Sequence, residues 1–360
     1  MIMKIKLRKD DLVKTVGYMA EVTQKKSIQE IISHLLIEVT DKIIISATDL
    51  EKAIFIEVEG EIIETGTITI NAKKFNDTVK AASEFLTITT KDNDIKIYSN
   101  KRYIKTQGFF KDDFPAVEFK SENKSLEINS VDLLSILNKV QISIHTDPDA
   151  KPYFTGIFIQ KTKSYINFVG SDGHRLSFHY LKYEDDSEFE CIIPLTTINV
   201  LRKILANRID FVKINLGLKN VKIKIGDIVL LSRIIPSNYP DYKKIIPDNS
   251  EFEIKIKKET LVQSLKWIKP YIDELGKTII KISGNEFKLM VSSEYGKSED
   301  TIILENNYED FEIPVNYKYL IEFINVSLEE IHFKFINDKS PVVVQDVNKQ
   351  YIYILMPMRS

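Results

Sequence analysis

The sequence predicts an α+β protein made of three repeated domains, each with two helices packed on antiparallel sheets. Three observations lead there. Short runs alternate apolar and polar residues, the period-two signal of antiparallel strands with one wet face. Helix-forming windows open on apolar pairs directly after such runs. Three sets of markers recur, in the same order, at a spacing near 120 residues.

The first set is a strand running into a helix. It reads Lys4-Ile5-Lys6-Leu7-Arg8-Lys9-Asp10-Asp11-Leu12-Val13, then Leu126-Glu127-Ile128-Asn129-Ser130-Val131-Asp132-Leu133-Leu134, then Phe252-Glu253-Ile254-Lys255-Ile256-Lys257-Lys258-Glu259-Thr260-Leu261-Val262. Ile5 to Leu126 is 121 residues, and Leu126 to Phe252 is 126. The second set lies between these: Ile68-Thr69-Ile70-Asn71-Ala72-Lys73-Lys74-Phe75, Ile192-Ile193-Pro194-Leu195-Thr196-Thr197-Ile198-Asn199 and Glu312-Ile313-Pro314-Val315-Asn316-Tyr317-Lys318-Tyr319. The third is an aromatic or Met before Pro, at Phe114-Pro115, Tyr239-Pro240 and Met356-Pro357.

The stretches between markers supply the remaining strands, as in Lys42-Ile43-Ile44-Ile45-Ser46, Phe85-Leu86-Thr87-Ile88-Thr89, Val221-Lys222-Ile223-Lys224-Ile225 and Phe287-Lys288-Leu289-Met290-Val291. Turn chemistry predicts reversals at Lys91-Asp92-Asn93-Asp94 and at Ser283-Gly284-Asn285-Glu286. The expected domains are 1–122, 123–249 and 250–360, each two strand–helix–strands halves.

Composition narrows the function. The 360 residues carry 50 Lys+Arg against 52 Asp+Glu, so bulk charge does not announce a nucleic-acid binder and any basic surface must be local. Cys191 is the only cysteine, which excludes an intramolecular disulfide framework and cysteine-based zinc or iron–sulfur sites and fits a reducing compartment. The N-terminus has no long apolar run with a cleavage site, and the longest apolar stretches fall far short of the roughly 20 residues a membrane helix needs. A soluble, cytoplasmic protein with no membrane partner is expected.

Positive charge concentrates in three helix windows. Residues 72–82 carry Lys73, Lys74 and Lys80 against Asp77, 197–208 carry Arg202, Lys203 and Arg208 with no acid, and 257–269 carry Lys257, Lys258, Lys266 and Lys269 against Glu259. Helices of this kind can hold a polyanion, although lysines on solvated helix faces would read the same way.

Three motifs are more specific: Gly170-Ser171-Asp172-Gly173-His174-Arg175-Leu176, Tyr239-Pro240-Asp241-Tyr242-Lys243-Lys244-Ile245-Ile246-Pro247, and the C-terminal Leu355-Met356-Pro357-Met358-Arg359-Ser360. With the threefold repeat, they resemble the bacterial β sliding clamps, the processivity subunits of DNA polymerase III, over essentially the whole chain. The resemblance implies a head-to-tail homodimeric ring of pseudo-sixfold symmetry, with helices lining the hole and sheets outside. It implies a non-catalytic subunit without cofactor or metal that encircles double-stranded DNA without sequence preference and tethers the replicative polymerase.

The same resemblance implies a pocket for short peptides of the polymerase α subunit, the clamp loader δ subunit, translesion polymerases and mismatch-repair proteins. Carried over by motif, its walls are Phe154, Ser171, Gly173, His174, Arg175 and Leu176, then Pro240, Lys244 and Ile245, then Asn316 and Tyr319, with Ile354, Leu355, Met356, Pro357, Met358 and Arg359 from the tail. Lys26, Lys73, Lys80, Arg202, Lys203 and Lys266 are expected to face DNA. Lys74, Thr78 and Ile104 of one subunit are expected to meet Tyr271 and Ile272 of the other. Three departures bear on peptide preference: Lys244 stands for a family Arg and loses its planar fork, Phe154 stands for a Leu, and the terminal residue is Ser360; the first-domain loop that carries Lys26 also differs, with Gln29-Glu30 where the family often has Leu/Ile-Pro.

Other readings of these residues are weaker. Asp172 and His174 lack a third metal ligand at useful spacing, and His174 has no nucleophile or orienting acid beside it. A nuclease would need clustered carboxylates, and here the acids are scattered. A repeat protein that binds partners but no DNA stays open on composition alone. Trp267 reads as core or interface filler, and Cys191 as a buried residue.

Overall fold

The computed structural model of the chain describes residues 2–23, 29–147, 149–247, 249–347 and 349–358. Six strand–helix–strands halves follow one another. The first is β1 (Ile2–Arg8), α1 (Lys9–Met19), β2 (His34–Val39), β3 (Ile43–Thr48), β4 (Lys52–Val58) and β5 (Gly60–Glu64). The second is β6 (Gly66–Asn71), α2 (Ala72–Ala81), β7 (Phe85–Lys91), β8 (Asp94–Ser99) and β9 (Arg102–Gln107). Next come β10 (Ser121–Asn129), α3 (Ser130–Val140), β11 (Gly156–Lys161), β12 (Tyr165–Ser171) and β13 (Arg175–Lys182), then β14 (Phe189–Pro194), α4 (Leu195–Leu205), β15 (Phe211–Gly217), β16 (Asn220–Ile225) and β17 (Ile228–Arg233). The last two are β18 (Phe252–Lys257), α5 (Lys258–Ile268), β19 (Lys277–Ser293) and β20 (Gly296–Asn316), and, running on from β20, α6 (Tyr317–Val326), β21 (Glu330–Phe335), β22 (Val342–Asp346) and β23 (Tyr351–Leu355).

The predicted helices form because their apolar residues recur on one face. Leu261, Leu265 and Ile268 of α5 are fully buried, as are Leu12, Val16 and Met19 of α1. Among the described residues, side-chain caps start three of them: Asn71 accepts the Lys74 N–H at 3.1 Å, Asn129 accepts that of Val131 at 2.9 Å, and Asn316 accepts those of Lys318 and Tyr319 at 2.9 and 3.3 Å.

The chain divides into two compact units, Met1–Leu134 with Thr196–Ile234 and Ser135–Leu195 with Ile235–Ser360. The first holds a five-stranded sheet, β5-β1-β7-β8-β9, and an eight-stranded sheet, β10-β15-β16-β17-β4-β3-β2-β6. The second holds an eight-stranded sheet, β14-β11-β12-β13-β23-β22-β21-β18, and the long β19-β20 hairpin. All pairings are antiparallel. Each eight-stranded sheet joins strands from neighbouring repeats, through the β17–β4 pair (Ile228↔Ile56 to Ser232↔Lys52) and the β13–β23 pair (Arg175↔Leu355 to His179↔Tyr351).

One predicted turn is corrected. Lys91↔Asp94 closes a two-residue loop with Asp92 at φ 56°, as its residues suggest. Ser283-Gly284-Asn285-Glu286, however, lies inside β19. Pairing jumps from Ile282↔Phe311 to Gly284↔Tyr308 and then to Glu286↔Ile303, with Gly284 at φ 58°. A glycine that adopts positive φ serves a bulge as readily as a turn, and here the strand continues through it.

The second unit buries a polar cluster beneath β13, β22 and β23. Lys139 Nζ donates to Asp346 Oδ2 at 2.7 Å, the Tyr351 hydroxyl donates to the Lys139 carbonyl at 2.8 Å, and Ser177 bonds Ser143 and Tyr351. His179 stacks on Tyr351. Burial, reinforced by the Lys139 charge, lowers the His179 pKa from the usual 6.5 to about 4. The folded state therefore holds this ring neutral while the unfolded chain takes up a proton below pH 6.5. Stability should fall as pH drops from about 6.5 to about 4, by up to about 3 kcal/mol from this group. Urea midpoints check it: between pH 7 and 5 the wild type should lose about 2 kcal/mol more than His179→Gln.

Candidate functional site

A five-residue turn joins β12 to β13, and its own side chains hold it. The Ser171 hydroxyl donates to the Arg175 carbonyl at 2.8 Å and accepts the Gly173 N–H at 3.2 Å. Asp172 Oδ1 accepts the N–H groups of His174 and Arg175 at 2.9 and 3.0 Å, and its Oδ2 accepts Arg175 Nε at 2.9 Å. Gly173 has φ 88°, so glycine is chosen for conformation rather than space; a Cβ there would meet only the Phe154 ring, at 3.6 Å.

The Arg175 side chain turns inward. It is 7 % exposed, bonds Glu322 through Nη1, and stacks its guanidinium 4.1 Å from the Tyr319 ring centre. The Tyr353 hydroxyl donates to the Tyr319 carbonyl at 3.0 Å, which fixes the start of α6 against β23. The tail is tied at two points. The Met356 N–H donates to the His174 carbonyl at 3.0 Å, and the Met358 N–H donates to the Pro314 carbonyl at 2.8 Å.

A cleft of about 720 Å³ results, lined by Gly173, His174, Asn316, Tyr319, Met356, Pro357 and Met358. These seven positions expected from the sequence meet on one surface, and Phe154 borders it at Gly173. Ser171, Arg175, Leu176, Ile354 and Leu355 are buried instead. Leu176 and Ile354 pack with Phe158, Val169, Ile192 and Tyr242, and Leu355 belongs to the core under α5 and α6. Pro240, Lys244 and Ile245 are exposed on the linker and do not line the cleft; Lys244 pairs with Asp241 at 3.4 Å. Arg359 lies outside the described residues. The sequence reading passed over Asp172 as a building residue and missed Glu322. An Asp two positions before backbone N–H groups it can accept is an Asx turn, a signal present in Ser-Asp-Gly-His.

The other expected groups occupy varied environments. Lys73 and Lys80 on α2 and Lys266 on α5 are exposed. Arg202 is half-buried, and Lys203 already bonds Glu21 and the Gly17 carbonyl. That pair is about half exposed on both sides, so it is a weak one. Lys26 lies outside the described residues. Ile104 sits 44 % exposed on β9, the edge strand of its sheet, Lys74 is exposed and Thr78 half-buried on α2, and Tyr271 and Ile272 follow α5 with Tyr271 exposed and Ile272 half-buried. Trp267 is 65 % exposed and donates Nε1–H to the Glu299 carbonyl at 3.1 Å, so it is not core. Cys191 is buried, which pushes its thiol up to about 12.

Comparison with known proteins converges on one family. Family models described as the DNA polymerase III beta subunit N-terminal, central and C-terminal domains match residues 3–118, 127–241 and 243–359 in order. The beta sliding clamp of Caulobacter vibrioides is 22 % identical over 372 residues, covering 99 % of this chain and all of the relative. That of Helicobacter pylori is 26 % identical, covering 96 % of this chain and 94 % of the relative. The crystal structure of a sliding clamp from Pseudomonas aeruginosa bound to griselimycin superposes with a TM-score of 0.95 at 21 % identity, covering 99 % of this chain and all of that one. With its three domain models in order along nearly its whole length, the chain belongs to the DNA polymerase III beta subunit family, the beta sliding clamps.

Proposed function

We propose that this protein is a DNA sliding clamp: two copies close head to tail into a ring around duplex DNA and tether the replicative polymerase. The observation that carries this is the ordered match of all three beta-subunit domains, together with a cleft built at the Ser171–Arg175 turn and the tail. Members of the family are non-catalytic processivity subunits. The proposed domains are 1–122, 123–249 and 250–360.

DNA is held by charge without sequence readout. Lys73, Lys80, Arg202, Lys203, Lys266 and Lys26 are the proposed contacts, and phosphate contacts of this kind carry no base information. A chain with 50 basic and 52 acidic residues does not grip DNA strongly. Closure of the ring supplies retention, and weak contacts leave it free to slide. No described helix is long and apolar enough to cross a membrane, and the proposed compartment is the cytoplasm.

The cleft takes the short peptides of the polymerase α subunit, the clamp loader δ subunit, translesion polymerases and mismatch-repair proteins. Met356, Met358 and Pro357 offer an adaptable apolar surface, and His174 and Asn316 offer polar groups to peptide backbone. Phe154 borders it at Gly173, Pro240, Lys244 and Ile245 stand on the linker outside it, and Ser171, Arg175, Leu176, Ile354 and Leu355 support it from below.

Heterologous contacts close a ring when the rotation permits. The proposed contact joins Lys74, Thr78 and Ile104 to Tyr271 and Ile272 of the second copy. Ile272→Asp buries a charge in that contact, so it should give monomers by light scattering and abolish loader-dependent association with circular DNA. A variant that remains dimeric refutes this placement of the contact.

A further inference from the structure

The Ser171–Arg175 turn has a second copy in the other unit. Thr48-Asp49-Leu50-Glu51-Lys52 joins β3 to β4 with the same bonds. The Thr48 hydroxyl donates to the Lys52 carbonyl at 2.9 Å and accepts the Leu50 N–H at 3.1 Å. Asp49 Oδ1 accepts the N–H groups of Glu51 and Lys52 at 3.1 and 2.8 Å, and its Oδ2 accepts Lys52 Nζ. The strand end beside it repeats as well. The Arg233 N–H donates to the Glu51 carbonyl at 2.9 Å, as the Met356 N–H donates to that of His174. The turn borders a cleft of about 370 Å³ whose far wall is the linker, Pro115, Ala116 and Val117.

The scaffold is kept and the surface is changed. Leu50 replaces Gly173, Glu51 replaces His174, and Arg233 replaces Met356. Leu50 holds φ 75°, a conformation costly for a side chain with a Cβ, and still leaves that side chain 42 % exposed to the cleft. Among the described residues, Arg233 gives Nη1 alone to a carboxylate, Glu51 at 3.2 Å, with both side chains about two-thirds exposed. Its other donors can take a carboxylate in forked geometry. Lys219 adds a second cation next to Arg233 through the Asn220↔Arg233 pair, while Glu118 lies on the linker wall.

We propose that this cleft is a second peptide-binding site, for an extended segment with an apolar side chain followed by an acidic one. The apolar residue packs between Leu50 and the Pro115–Val117 wall, and the carboxylate displaces Glu51 from Arg233. The inference rests on reading the Met356 cleft as a peptide site, because the shared scaffold is what marks both.

The two clefts report on different methyl groups, so they can be watched separately in the full-length protein labelled at Leu and Met methyls. Leu50 and Leu231 line the second cleft, and Met356 and Met358 line the first. The probe is acetyl-Ala-Leu-Ala-Asp-Ala-amide, with the Asn analogue as control. The expected result is saturable shifts at Leu50 and Leu231, about tenfold weaker affinity for the Asn analogue and for Arg233→Gln, and tighter binding to Glu51→Gln. Unmoved Leu50 and Leu231 methyls, equal binding of the two peptides, or no effect of Arg233→Gln each overturns the proposal. A clamp-binding peptide of the polymerase added separately tests the Met356 cleft: silent Met356 and Met358 methyls there refute that reading, whatever the leucines do.

Discussion

Asp346→Ala should destabilise the second unit by about 3–5 kcal/mol, because it strands a buried ammonium. The Lys139 and Asp346 side chains are 10 % and 0 % exposed and meet at 2.7 Å. Lys139 Nζ also lies 5.2 Å from the Tyr351 ring centre, and the carbonyl of the same residue accepts the Tyr351 hydroxyl. Asp346 Oδ1 has no partner among the described residues, so the carboxylate depends heavily on Lys139. Lys139→Met should cost a similar amount by leaving that carboxylate alone. The double variant Lys139→Met with Asp346→Leu should recover most of the loss, since a packed apolar pair avoids both desolvation penalties. Calorimetry checks this: each single variant should melt roughly 10 °C lower, given about 2–4 °C per kcal/mol for units of this size. Single variants within about 2 °C of wild type would contradict it.

The second large effect concerns the cleft. Asp172→Ala removes the acceptor for two backbone N–H groups and one partner of a guanidinium that is 7 % exposed. A destabilisation of about 2–3 kcal/mol is expected. Binding should suffer too, because the turn carries Gly173 and His174, and the His174 carbonyl holds the Met356 N–H. Anisotropy of a labelled clamp-binding peptide of the replicative polymerase should show at least about a tenfold weaker Kd, roughly 1.4 kcal/mol. Lys244→Ala is the control. That side chain is 82 % exposed and, among the described residues, pairs with Asp241, so binding should stay within about threefold. An Asp172→Ala protein that is destabilised yet binds normally would remove the peptide reading from this cleft.

The repeat, the six helices and the antiparallel strands were legible because each has a period that local sequence carries. Ile5 and Leu126 stand at matching places in β1 and β10, four residues before α1 and α3, and in β18 that place before α5 belongs to Ile254 rather than to Phe252. Strand partners across repeats were not legible. Nothing in Ile228 or Ile56 says that β17 pairs with β4, since pairing of distant strands is decided by tertiary packing. Gly284 shows a local ambiguity, because positive φ fits both a turn and a bulge. Within the cleft, the tail and Asn316–Tyr319 were readable as motifs. Depth was not: Leu176 and Ile354 look like pocket lining in sequence, but the alternation of β13 and β23 turns them into the core. The Thr48–Lys52 turn escaped notice because only Asp49 survives of the Asp-Gly-His-Arg residues that make its counterpart conspicuous. Its bonds, not its letters, are what repeat.

The proposed ring makes retention on DNA topological. The protein and its clamp loader are incubated with nicked circular DNA, half of the sample is linearised, and both halves are passed through a sizing column in moderate salt. The protein should stay with the circles and run off the linear molecules, because weak phosphate contacts do not hold it against an open end. Equal retention on circular and linear DNA would contradict it and assign the binding to contact rather than encirclement.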